Sequence, residues 1–339
     1  MDSPLLAVPD AVAADVPDTG VAAHYGDPFA EQRALAAAAG LVDRSNRDVV
    51  RIAGQDRLSW LNNISTQKLD DLPPGSARQS LILSPHGHVE HHLSLVDDGT
   101  CTWIHVEPGE APALLDFLES MRFMLRVEAE NATGSYAVLT LMGPQVEASA
   151  ADDAAAAMDF GFGTDLVVER ARMEKVTAGL RGRGYQLAGI WAHEAMRIAA
   201  HRPRFGIDTD HRTIPHEAGW IESAVHLTKG CYRGQETVAR VHNLGHPPRR
   251  LVMLHLDGSA DRLPAHGDLV HAGAVAVGFV GSRARHYELG PIALALIKRT
   301  VPVTEVLQVA EISAAQEVIV PPDTGANVKI TVGRMPRGR

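Results

Sequence analysis

Cysteine is scarce in this chain. Among its 339 residues there are two cysteines, Cys101 and Cys231. Two thiols exclude a disulfide framework, and in a chain of this length they are typical of a reducing compartment. They also exclude an iron–sulfur cluster held by this chain alone, because such a cluster takes four thiolate ligands.

Long apolar runs are missing as well. No stretch offers the roughly 18 uncharged apolar residues that a membrane-spanning helix needs. The N-terminus lacks the basic start and continuous apolar segment of a signal peptide, because Asp2, Asp10, Asp15 and Asp18 interrupt it. We therefore predict a cytoplasmic protein with no membrane partner. Residues 1–22, rich in Ala, Pro and Asp, are expected to form a mobile leader.

The chain has no excess of positive charge. Its formal net charge is -9, which argues against direct binding of duplex nucleic acid, because neutralising phosphates takes a basic surface. The 45% hydrophobic and 22% charged residues are typical of a folded globular protein. A length of 339 residues is too great for one ordinary hydrophobic core, so two or three domains are expected.

One short stretch, residues 229–236, contains many reactive or charged side chains, and we call it the Cys231 loop. It reads Lys229, Gly230, Cys231, Tyr232, Arg233, Gly234, Gln235, Glu236. The glycines permit sharply bent backbone, and the two cations beside the thiol would favour its nucleophilic thiolate. The alternative is a glycine turn whose cysteine merely packs.

Residues 48–129 show a regular succession of patterns. Strands are predicted at 49–52, 80–83, 89–96, 101–106 and 125–127, with helices beginning at Asp56 and spanning 110–121. The order β-α-β-β-(β)-α-β is that of a ferredoxin-like unit.

The rest of the chain mixes helices and short strands. A strand over 136–141 precedes an Ala-rich acidic region, 145–158, that is predicted to be helical. An amphipathic helix over 189–200 ends before Pro203. From Arg249 onward the pattern is all β, with strands at 251–256, 269–270, 274–280, 292–297, 306–309 and 318–320, which predicts a small separate barrel.

The Cys231 loop, continued by Thr237-Val238-Ala239-Arg240, resembles the signature of the YgfZ family of folate-binding proteins. That family is related to the T-protein, the aminomethyltransferase of the glycine cleavage system, and to iron–sulfur assembly factors. Three further stretches carry the resemblance: 41–45 (LVDRS), 52–56 (IAGQD), and Arg197-Ile198 followed by 203–208 (PRFGID).

The resemblance implies an α+β, three-lobed, T-protein-like fold around a folate channel. The expected parts are a leader at 1–22, a folate-binding core lobe formed by 23–47 and 130–245, the ferredoxin-like lobe at 48–129, the C-terminal β barrel at 246–322, and a tail at 323–339. The implied cofactor is tetrahydrofolate or another reduced folate, and its predicted contacts are Glu90, Arg197 and Asp208.

Two departures from the T-protein matter. Where that protein has the carboxylate that positions the folate, this chain has Glu90, which has a longer side chain. Where the T-protein has the glutamate that holds the pterin ring, this chain has Ala199. Losing this acceptor leaves pterin donors unpaired, which argues against true aminomethyl transfer and leaves open whether folate still binds.

Other polar clusters have competing interpretations. His86, His88, Glu90 and His92 alternate as on one strand face and suit a zinc or iron site, but an exposed hairpin explains them without a metal, and no stably bound metal is predicted. On the helix, His193, Arg197 and His201 would meet the folate tail or only the protein surface. Cys101 is expected in the core.

The sequence thus predicts a folate-binding protein that supports assembly or repair of iron–sulfur enzymes, and through them tRNA modification. Its partners would be folate and the assembly proteins or client enzymes. Cys231, Lys229 and Tyr232 would act, with Gly230, Arg233, Gly234, Gln235, Glu236 and Arg240 shaping the loop. The alternatives are a folate-dependent aminomethyltransferase or demethylase and a non-catalytic folate-sensing adaptor.

Overall fold

The computed structural model describes residues 1–327. Its first elements are β1 (Val12–Ala13), β2 (Ala22–His24), α1 (Pro28–Ala37) and β3 (Gly40–Asp43). The expected mobile leader is wrong, because this segment packs on the body of the protein. Leu5 and Val21 are buried, and the Asp18 carboxylate accepts two hydrogen bonds from the Arg204 guanidinium at 2.7 and 2.8 Å.

The second unit is a five-stranded antiparallel sheet with two helices. Its elements are β4 (Asp48–Ala53), α2 (Arg57–Ile64), β5 (Ala77–Leu83), β6 (Val89–Asp97), β7 (Cys101–Val106), α3 (Ala111–Ser120) and β8 (Glu128–Asn131). The strand order β5-β6-β7-β4-β8 confirms the ferredoxin-like prediction. The last strand begins later than predicted, because Asp56 holds Arg126 through its backbone N–H and its guanidinium.

A second five-stranded sheet follows. It adds β9 (Tyr136–Met142), β10 (Ala156–Asp159), β11 (Thr164–Glu169), α4 (Met173–Gly182), β12 (Gln186–Ala188) and α5 (Ile190–Ala199), with strand order β10-β11-β9-β3-β12. The predicted Ala-rich helix is wrong: residues 148–151 form one 3-10 turn and 156–159 a strand. Pairing with β11 and complete burial of Met158 override the helical propensity of alanine.

Two helices then lead into the barrel. After α6 (Ile221–Ala224) and α7 (Gln235–Leu244) come β13 (Arg249–Leu256), β14 (Leu269–Ala272), β15 (Val275–His286), β16 (Gly290–Lys298), β17 (Leu307–Val309) and β18 (Ile312–Val318). They close in the order β13-β16-β15-β14-β17-β18, which confirms the barrel, although its last strand precedes the predicted one.

The predicted tail lies only partly within the described residues. Ala326 and Asn327 donate backbone hydrogen bonds to the carbonyls of Val241 and His242 near the end of α7, and the basic end of the chain lies outside residues 1–327. Within that range no helix is both long and apolar enough to cross a membrane.

The three units meet around α5 and the strands that face it. Ala195 and Ile198 of α5 pack on Leu251 and Leu294 of the barrel. The two open sheets share a cluster that includes Cys101, which is buried as predicted. Polar residues on the other face of α5 border a central cavity that lies between α5, the two open sheets and the N-terminal segment.

Candidate functional site

The central cavity has two connected chambers. The inner chamber, of about 90 Å³, lies between β6, β7, β9, β11 and α5. The outer chamber, of about 500 Å³, is lined by residues 77–79, 159–160, 201–203, 218–220, 223 and 319, together with His92. Both chambers are lined by Gln79, His92, Phe160, Arg202 and Pro203.

Glu107 is a carboxylate of the inner chamber that two arginines hold. One of its oxygens accepts from Arg47 and the other from Arg204, each at 2.7 Å. Burial by itself raises the pKa of Glu107, but the two guanidinium groups outweigh it and hold that pKa well below its usual range. Glu107 is therefore an anion at neutral pH, neutralised by its neighbours.

The other inner-chamber carboxylates are also paired with arginine. Asp165 lies 3.0 Å from Arg44, Asp18 is bound by Arg204, and Glu194 receives two hydrogen bonds from Arg197 at 2.7 and 2.9 Å. No inner-chamber carboxylate within residues 1–327 is thus left without an arginine partner. The chamber offers no unpaired anion to a ligand's N–H groups.

Arg197 and Asp208, predicted to contact the cofactor, instead brace the fold. A guanidinium has five N–H donors, and those of Arg197 go to Glu194 (two), Asp208, Ser282 and the backbone oxygen of Arg202. Asp208 is buried and accepts from Arg197, Ser282 and the Arg204 backbone. Neither residue has capacity left for a ligand.

Arg202 is different from the other arginines of the cavity. Its guanidinium donates to the Phe160 carbonyl at 3.2 Å and lies 5.2 Å from the ring centroid of Phe162. No carboxylate of the described chain lies within 4.0 Å of it. Asp165 attracts this guanidinium only from a longer distance. Because Arg202 borders both chambers, it presents a positive charge without a salt-bridge partner to an anionic ligand.

Two histidines that line this cavity have one ring nitrogen each that is closed to solvent. His92 Nε2 and His193 Nδ1 make no hydrogen bond to any residue in the described range, although Glu194 Oε1 lies 3.4 Å from His193 Nδ1. Burial lowers the pKa of His92 to about 3 and that of His193 to about 4, so both imidazoles are neutral at pH 7. His92 stacks on Trp220 with ring centroids 4.8 Å apart.

In the Cys231 loop the thiol is exposed, but Lys229 is turned away from the role predicted for it. Its ammonium group donates to the backbone carbonyls of Asn62, Ser65 and Gln67, the last two at 2.7 and 2.8 Å. Burial lowers the pKa of Lys229 to about 8. Lys229 is thus a clamp on the segment after α2, because its three N–H donors are used there.

Tyr232 and Glu90 also differ from expectation. Tyr232 is buried in an apolar cluster with Trp220, and burial raises its pKa to about 12, so it does not stand at the rim of a channel. Glu90 lies outside both chambers and pairs with Arg233 at 2.9 Å. The Arg233 guanidinium also lies 5.6 Å from the ring of Phe117.

The rest of the Cys231 loop begins α7 against the 84–88 turn. Gly234 has φ +81°, and a Cβ there would lie 2.6 Å from the Ser84 carbonyl oxygen, which explains the glycine. Glu236 pairs with Arg240 on the exposed face of α7, and Gln235 is the first residue of that helix. Gly230 has no such constraint from its neighbours.

The alternating histidines do not converge. His92 lies in the cavity and Glu90 on Arg233, while His86 and His88 lie 6.3 Å apart by ring centroid. Within residues 1–327 no three His, Cys, Asp or Glu side chains are grouped so as to hold a metal ion.

Trp220 connects the Cys231 loop to the cavity. One ring contact is with His92, and the same side chain belongs to the cluster of Tyr232. Lys229 adds a second connection, since the segment it clamps also donates to the carbonyls of Ala224 and of Ser223, and Ser223 lines the outer chamber. The thiol and the cavity therefore belong to one packed unit.

Several inner-chamber residues escaped prediction. Arg44, Glu107 and Asp165 come from three distant parts of the chain, and His105 is an isolated histidine within an apolar strand. In the sequence, their only sign is a polar residue within an apolar strand pattern. Such a residue must find a partner when it is buried, but the pattern does not show which residue the partner is.

The sequence of this chain is similar to those of known proteins. Residues 22–173 match the GCVT N-terminal domain. The aminomethyltransferase of Geobacillus kaustophilus is 28% identical over 305 residues, covering 80% of this chain and 82% of that protein. The aminomethyltransferase of Ralstonia pickettii is 24% identical over 351 residues, covering 91% and 92%.

A solved structure extends the match to the whole fold. The glycine cleavage system aminomethyltransferase T from Bartonella henselae has a TM-score of 0.80 at 18% identity, covering 96% of this chain and 98% of that chain. This chain therefore has the aminomethyltransferase fold, which confirms the predicted α+β, three-lobed class.

Proposed function

We propose that this chain binds a reduced folate, tetrahydrofolate or a derivative of it, in the central cavity. The observation that carries the proposal is Arg202, an unpaired guanidinium between two chambers of the aminomethyltransferase fold. The pterin ring would occupy the inner chamber, and the glutamate carboxylates would meet Arg202 or Arg78 in the outer chamber. Arginine suits a carboxylate because it offers paired donors.

Aminomethyl transfer is the reaction supported by the names of the relatives. Three observations on the site weigh against it. The inner-chamber carboxylates are paired with arginines, Glu90 is bound to Arg233, and Ala199 packs against the barrel. A carboxylate free to hold the folate ring is thus lacking among the residues expected to supply it.

We propose instead a YgfZ-type role in the cytoplasm, in which the chain supports assembly or repair of iron–sulfur enzymes and, through them, tRNA modification. Support comes from the Cys231 loop, whose sequence resembles that family, and from its exposed thiol on a loop packed against the cavity wall. The thiol would lose its proton to solvent and coordinate, as a thiolate, an iron of a cluster carried by a partner protein while folate occupies the cavity.

Two assays separate these functions. Purified chain, tetrahydrofolate and an aminomethyl donor would give methylenetetrahydrofolate with turnover if the chain is an aminomethyltransferase, and we expect none. In cells lacking the native gene, wild-type chain should restore iron–sulfur enzyme activity and Cys231→Ala should not. Equal rescue by Cys231→Ala would rule out the thiol role.

A further inference from the structure

Contacts within the protein hold the Arg202 guanidinium in one place. Its Nη1 donates to the Phe160 carbonyl at 3.2 Å, and its central carbon lies 5.2 Å from the ring centroid of Phe162, which is within the range of a cation–π interaction. The backbone of Arg202 is fixed as well, because its N–H donates to the Arg197 carbonyl at 3.1 Å and its carbonyl accepts from the Arg197 guanidinium. Both ends of the Arg202 side chain are therefore restrained.

The edge of this guanidinium that stays open is the one that suits a carboxylate. Nε and Nη2 of Arg202 make no hydrogen bond within residues 1–327, and neither atom is closed to solvent. Arg57 and Arg126 show what the same edge does elsewhere in the chain, since each donates from Nε and Nη2 to the two oxygens of one aspartate at 2.7 to 2.8 Å. Such paired donation is strong and directional. Arg202 thus offers an unoccupied pair of donors at the junction of the two chambers.

Phe162 is itself held by the fold. It lies in the turn between β10 and β11, where the Asp159 carboxylate accepts from the Gly161 N–H at 2.8 Å. The Phe162 side chain packs against a buried apolar cluster formed by Leu35, Val42, Met142, Ala188 and Ala192. Its ring is therefore a fixed surface beside which the Arg202 guanidinium lies.

We infer that Phe162 is a positioning residue for the anionic tail of the ligand, because its ring holds the Arg202 guanidinium with the Nε and Nη2 edge open. This inference rests on the proposed folate binding. A guanidinium that already has its bound orientation loses little side-chain entropy when a carboxylate arrives. Without the ring, Arg202 keeps its charge but takes up other orientations as well, so its affinity for a carboxylate falls. The effect of Phe162 on binding therefore passes through Arg202.

Isothermal titration with folinate tests this inference in a double-mutant cycle. Phe162→Leu removes the aromatic face but keeps an apolar side chain in the turn, and Phe162→Tyr keeps the aromatic face. Phe162→Leu is measured in the wild-type chain and again in the Arg202→Met background. The control is Phe117→Leu, because Phe117 is also partly buried and its ring lies 5.6 Å from a guanidinium, that of Arg233, outside both chambers.

We expect Phe162→Leu to weaken folinate binding about fivefold, whereas Phe162→Tyr and Phe117→Leu should stay within about twofold of wild type. In the Arg202→Met background, Phe162→Leu should change the affinity by no more than about twofold.

Wild-type affinity in Phe162→Leu overturns the inference, and so does equal weakening by Phe162→Leu and Phe162→Tyr. Equal weakening by Phe162→Leu in both backgrounds also overturns it, because Phe162 would then act on the fold or on the ligand without Arg202. In each of these cases the unaltered chain still binds folinate. Absence of folinate binding by the unaltered chain would overturn the proposed function itself, so the two failures are distinguished.

Discussion

Arg47 donates from Nε to Nδ1 of His105 across 2.9 Å, deep inside the protein. Because arginine is always protonated, Nδ1 must be the acceptor, and the His105 proton lies on Nε2, where it is donated to Asp165. Burial, against the attraction of Asp165, lowers the pKa of His105 to about 4. One contact thus fixes both the tautomer and the charge of a chamber residue.

This neutrality makes stability depend on pH. His92, His105 and His193 have folded-state pKa values of about 3, 4 and 4, below the value near 6.5 of an unfolded chain. Below about pH 6.5 the unfolded state therefore takes up protons that the folded state does not, and each histidine costs about 1.4 kcal/mol per pH unit until its folded pKa is reached. Urea unfolding at pH 7.5 and 5.5 should show lower stability at pH 5.5.

A variant that lacks one of the three titrating histidines tests this explanation of the pH dependence. His92→Gln should lose less stability between the two pH values than the wild type does, by about 1 kcal/mol. Equal stability of the wild-type chain at pH 7.5 and 5.5 would contradict the neutral histidines.

Asp18 holds the N-terminal segment on the cavity wall. Asp18→Asn removes the charge from a pair whose members are both buried, and we expect a loss of about 2 kcal/mol in the free energy of unfolding. Residues 1–22 should also become more sensitive to limited proteolysis. Asp15→Asn, at an exposed position, is the matched control. Identical digestion of both variants would be evidence against this tether.

Lys229 should matter for stability and not for thiol reactivity. Lys229→Met leaves three carbonyls without their charged donor, so we expect a loss of about 3 kcal/mol in the free energy of unfolding, whereas the exposed Lys175→Met should change it by less than about 0.5 kcal/mol. The rate of Cys231 alkylation by iodoacetamide should stay within about threefold of wild type, because the ammonium points to the 62–67 segment. A tenfold slower alkylation would restore the predicted activating role.

Local periodicity predicted the elements well and their contacts poorly. The apolar spacing of Trp191, Ala195 and Ile198 predicted α5 to within one residue at each end, and alternation predicted the ferredoxin-like order and the barrel. The Ala-rich stretch failed because strand pairing, a long-range contact, decided its conformation. The sequence singles out Arg197 and Lys229 as candidate site residues. Their hydrogen-bond partners include Ser282 and Asn62, which are distant in sequence, so local patterns could not predict that both residues brace the fold.

Folate binding at Arg202 can be measured by titrating folinate into the purified chain and into its Arg202→Met and Arg283→Met variants. Arg283 is an exposed barrel arginine outside both chambers. We expect saturable binding at one site per chain, about tenfold weaker in Arg202→Met and unchanged in Arg283→Met. No binding, or binding that the loss of Arg202 leaves unaltered, would contradict this expectation.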